Sequence, residues 1–114
     1  LNLDNIGYIL YNIFVSNIQP SFINIMRILF MPVLSKFHGI IIKMYFRQKE
    51  HNPPHIHAIY RDCIGLFSLD DAEMYEGDIP VKEQKMIKNF IQHYRNQLFT
   101  MWNTQKFCVL PPLE

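Results

Sequence analysis

The chain has 114 residues, of which 49% are apolar and 18% charged, and it carries a formal net charge of +1. That length suits one folded domain and not two, and the composition excludes a disordered tail. The near-balance of charge excludes a protein whose main task is wrapping duplex DNA by bulk cation, although a local basic stripe stays open.

Residues 1–30 differ in character from the rest of the chain. Ile, Asn, Leu, Phe and Tyr make up 21 of them, and Asp4 and Arg27 are the only charges. The run Ile6–Val15 is too short to span a membrane and holds Asn12, and it lacks the basic start and cleavage site of a signal peptide. We read residues 1–30 as an upstream extension outside the functional domain. Met31, followed by Pro32, is then the start of a domain running over 31–114. The alternative is a short apolar helix or strand packed on that domain.

From Met31 the elements come in order. Val33–Phe37 reads as a short strand, and a tight turn at His38-Gly39 joins it to "GIIIKMYF", Gly39 to Phe46. There Lys43 faces opposite to Ile42 and Met44. "RQKEHNPP" is a loop stiffened by Pro53 and Pro54. "HIHAIY" is a strand, "RDC" a turn, "IGLFSL" a strand, "DDAE" a hairpin turn and "MYEG" a last short strand. The result is an antiparallel meander.

One helix comes next, with Pro80 in its first turn and Asp78 placed to cap it. Ile87, Phe90, Ile91, Tyr94, Leu98, Met101 and Trp102 recur at helical spacing, and that stripe must bury itself on the sheet. The expected fold class is α+β: an antiparallel sheet meander packed against one C-terminal helix. Cys63 and Cys108 are too few and too far apart for a disulfide scaffold and read as reduced thiols in a cytoplasmic protein.

The densest chemistry lies in "EHNPPHIHAIY". On a strand, His55 and His57 share one face, roughly 6.5–7 Å apart, while Ile56 and Ala58 point to the other. The alternation predicts that the imidazoles look away from the core. Three readings are open there. Two imidazoles can act as general acid and general base, with His51 able to replace either. They can hold a metal with a third ligand and an open water site, although no acidic fourth ligand stands out. They can also simply bond a carbonyl or stack on Tyr45 or Tyr60.

Arg47 and Arg61 flank the histidine strand and could hold a phosphate or carboxylate. On the helix Lys85, Lys88, Gln92 and Arg95 share one face, a solvated row or a surface for nucleic acid or a partner. There is no Gly-rich phosphate loop, nucleophile elbow or CxxC pair, and no cofactor is expected.

"MPVLSKFHGIIIKMYF", "HNPPHIHAIY", "YEGDIP" and a helix ending near "MW" before "PPLE" together resemble a family of small bacterial proteins. It is catalogued as a domain of unknown function, family four-one-six-zero, and the resemblance runs from Met31 to about Glu114. Its signature positions here are His51, Pro53, Pro54, His55, His57, Tyr60, Gly77, Asp78 and Pro80. The loop "RQKEHN" is longer than usual, and Ile59 and Ser68 stand where acids are frequent. The resemblance implies the toxin half of a type II toxin–antitoxin pair, with a small antitoxin-like protein encoded nearby as partner.

Three functions compete. The first is a metal-independent ribonuclease in which His55 and His57 exchange protons with the ribose 2′-hydroxyl and the leaving 5′-oxygen while Arg47 or Arg61 stabilises the transition state. The second is a non-catalytic module that binds its partner by strand addition. The third is a metal-dependent hydrolase.

Overall fold

In the computed structural model, which describes residues 31–44 and 53–113, five strands succeed one another as an antiparallel meander. They are β1 (Val33–Phe37), β2 (Ile40–Lys43), β3 (His55–Tyr60), β4 (Cys63–Ser68) and β5 (Met74–Gly77). Among the described residues two helices follow, α1 (Val81–His93) and α2 (Arg95–Thr104). The expected α+β class and sheet order are those observed. The expectations placed on residues 1–30 lie outside the described residues.

Turn chemistry sets the register. His38 and Gly39 both take positive φ, 49° and 77°, the mirror-image turn whose twist matches the flanking strands. That two-residue link pairs Phe37 with Ile40. Arg61, with φ 54°, begins an equally short link that pairs Tyr60 with Cys63.

Alternation then sends Ile40, Ile42, Ile56, Ala58 and Phe67 to one face, all of them at most 1% exposed. The helical stripe of Ile87, Phe90, Ile91, Tyr94, Leu98 and Met101 packs onto that face in one core cluster. Phe37 and Phe90 stack with ring centroids 5.1 Å apart.

Gly65 is where the chain comes closest. A Cβ there would lie 2.7 Å from Ile79 Cγ1 and 2.9 Å from a ring carbon of Phe67. Gly77 holds φ +127°, and a side chain there would also run into the Ile64 carbonyl.

Two expectations are corrected. The helix is not continuous: Tyr94, at φ −103° and ψ 19°, separates α1 from α2. The bonds from Tyr94 N–H to the Phe90 carbonyl (3.0 Å) and from Leu98 N–H to the Tyr94 carbonyl (2.8 Å) preserve enough helical pitch for the apolar stripe to run across the break. Nor does Asp78 cap α1. Its Oδ1 accepts the Ile64 N–H at 3.0 Å, tying the end of β5 to β4, and Pro80 holds the cap position without a side-chain bond. Glu83 in the first turn meets the positive end of the helix dipole.

The C-terminal segment returns along β1. Leu110 N–H donates to the Leu34 carbonyl at 2.7 Å, and the Tyr94 hydroxyl donates to the Pro111 carbonyl at 2.6 Å. Among the described residues, no helix is long and apolar enough to cross a membrane.

Candidate functional site

The second face of β3 carries the histidines, as the alternation requires, with the two ring centroids 5.2 Å apart and the rings tilted by 54°. Their surroundings correct the expectation of a solvent-facing pair. His55 is 1% exposed and His57 7%. Trp102 of α2 lies against His55 with centroids 5.0 Å apart, and Tyr75 of β5 meets the same ring edge-on at 6.1 Å. The sheet is therefore covered on this side too, at the end of β3 next to the proline turn.

The proline pair explains itself through its carbonyls. Proline has no N–H to offer but keeps a full acceptor. Pro53 accepts from His55 Nδ1 at 2.9 Å, and Pro54 accepts from Leu69 N–H at 2.8 Å. Since a carbonyl can only accept, His55 carries a proton on Nδ1, and in the neutral ring Nε2 bears the lone pair.

His57 is the more perturbed of the pair. Burial, helped by repulsion from His55, lowers its pKa from 6.5 to about 4, so it is neutral near pH 7. Across the sheet it stands in a row, with Lys43 on one side and Leu66 and then Glu76 on the other.

The remaining sequence-derived positions scatter. His51 and Arg47 lie outside the described residues. Arg61 is exposed at the β3–β4 turn, its guanidinium 5.0 Å from the Tyr60 ring centre. It lies four positions beyond His57, and the three strand steps to Tyr60 alone put about 10 Å between the two backbones. Lys88 forms an ion pair with Glu73. Lys85 is exposed on α1, while Arg95 is half-buried at the start of α2 with its Nε enclosed and unbonded. The helix row is thus not one uniform cationic surface. Among the described residues, no three His, Cys, Asp or Glu side chains come together as a metal site. Cys63 and Cys108 are free thiols.

Beside His57 a cleft of about 340 Å³ opens, walled by Met31, Ile59, Ile64 and Leu66 and reaching Glu76. It had no place in the expectations from sequence, although the signal was there. In β4, Ile64 and Leu66 alternate with Gly65 and Phe67, so apolar groups face both sides, as in strands covered twice.

A five-stranded meander backed by two helices, with a proline-anchored imidazole pair buried on its second face, defines a small α+β domain whose marker is the segment Pro53–Tyr60. A profile of the family described as domain of unknown function (DUF4160) matches residues 39–103, more than half of the chain, and the chain belongs to that family. No curated protein and no solved structure matches it.

Proposed function

We propose that this domain is a non-catalytic protein-binding module, the toxin half of a two-component toxin–antitoxin pair that acts by occupying its target. The observation that carries the binding reading is the burial of both imidazoles, 1% and 7% exposed, against Trp102 and the proline turn. An RNA backbone needs its acid and base at an open surface within hydrogen-bond reach. Here one ring commits Nδ1–H to the Pro53 carbonyl, which leaves it Nε2 alone, and the other stays neutral down to about pH 4, so near pH 7 it is not the imidazolium that a general acid must be. Arg61 stands too far along the strand to meet charge developing at His57. These groups are better suited to holding the turn than to moving protons, which leaves the surface as the working part. The assignment to a toxin–antitoxin pair rests on the resemblance carried by "HNPPHIHA" and "YEGDIP".

The test is controlled expression of the full chain, with and without the product of the adjacent gene. The expected outcome is growth inhibition relieved by the neighbour, a complex that survives purification, and intact cellular RNA. RNA cleavage that disappears in a folded His57→Ala protein would restore the ribonuclease reading.

A further inference from the structure

The sheet has two edges, and they are finished differently. β1 is covered in cis by the segment around Leu110, through its bond to the Leu34 carbonyl. β5 ends the sheet on the other side among the described residues. Tyr75 there is 43% exposed, and Glu76 and Gly77 are exposed as well. Asp78 turns its N–H inward to the Ile64 carbonyl at 3.1 Å, so by antiparallel alternation Gly77 directs its own N–H and C=O outward. Backbone groups that face outward on an exposed edge strand are a template for another strand, and Gly77 supplies such a pair here.

Two features select what adds. The cleft beside His57 reaches Glu76 and Gly77, and its wall residue Ile64 is 52% exposed. A strand laid along β5 would place alternate side chains over that cleft. The charge is also one-sided. Residues 70–78 hold Asp70, Asp71, Glu73, Glu76 and Asp78 and no lysine or arginine. Glu73 is paired with Lys88, and the side chains of Asp71 and Asp78 accept backbone N–H groups. Glu76, on the rim of the cleft, has no cation paired with it among the described residues.

We infer that β5 is the docking edge for an extended, basic segment of the partner protein, with a large apolar side chain seated in the cleft and a lysine or arginine beside Glu76. This rests on the reading of the domain as a binding module and names the surface that reading requires.

The probe is a seven-residue peptide with phenylalanine at its centre and lysine two positions to either side, threonine filling the rest. The control replaces both lysines with glutamate. Amide shift mapping on the full chain should gather at Ile64, Leu66 and Tyr75–Gly77. Binding should weaken about tenfold for the glutamate peptide and for the Glu76→Lys protein, and stay within about twofold for Lys36→Glu on the opposite edge. Shifts centred on β1 or the helices, equal binding of the two peptides, or binding of neither would overturn the inference. So would self-association of the wild-type chain that Glu76→Lys abolishes, which would make a second copy the occupant.

The complex with the adjacent gene's product separates the two levels. If it forms with wild type and survives both Glu76→Lys and Ile64→Asp, the docking edge is wrong and the module stands. If wild type forms none, the module itself fails.

Discussion

His55 Nδ1 lies 2.9 Å from the carbonyl of Pro53, two residues earlier in the chain, while the same ring rests on Trp102. One imidazole therefore joins the proline turn, the start of β3 and the end of α2. His55→Ala should destabilise the protein by on the order of 2–4 kcal/mol, combining lost packing with a lost bond. His55→Asn can still donate to the carbonyl and should recover part of that loss. Urea titrations monitored through Trp102, the chain's one tryptophan, check both, and a neutral His55→Ala would refute the structural role.

His57 predicts a pH dependence. Its folded pKa of about 4 lies below the ordinary 6.5, so between those values the unfolded chain binds the proton more readily. The stability present above pH 6.5 is lost as pH falls towards 4, by up to about 3 kcal/mol. A His57→Leu protein should show a flatter profile over that window. Denaturation midpoints at pH 7 and pH 4.5 decide it, and parallel profiles for the two proteins would remove His57 as the source.

Asp78 offers a local test of its corrected role. Asp78→Ala should cost about 1 kcal/mol and speed hydrogen exchange at the Ile64 amide. The first-turn amides of α1 should keep their protection. Loss of protection there would return Asp78 to the capping role.

The two close-packed glycines should rank. Gly65→Ala overpacks against Ile79 and Phe67 and should cost about 1–3 kcal/mol. Gly77→Ala meets backbone and must also hold φ +127°, so its loss should be greater. Thermal melts in which Gly77→Ala is the milder change would contradict this packing.

Much of this fold was legible because strand period and turn chemistry agree. "HIHAIY" alternates cleanly, His38-Gly39 makes the one turn its neighbours allow, and the stripe from Ile87 to Met101 is buried throughout. What was not legible depends on long-range packing. Alternation told which face His55 and His57 share, but not that Trp102, far along the chain on α2, would cover it. Asp78 has the right identity for a cap, yet its oxygen accepts the N–H of Ile64 and the cap position falls two residues later at Pro80. The break at Tyr94 leaves the apolar spacing nearly unchanged, so periodicity could not reveal it. The cleft went unseen because it needs three neighbouring strands in register, and no single segment displays it.

The bond between Leu110 and Leu34 has a consequence for synthesis. The meander is built from neighbouring hairpins and can form while the chain is still emerging. Among the described residues, however, it is a segment made 76 positions later that covers the outer flank of its opening strand. Nascent chains halted before that point should be the most prone to stick to one another, and chaperones should find them there.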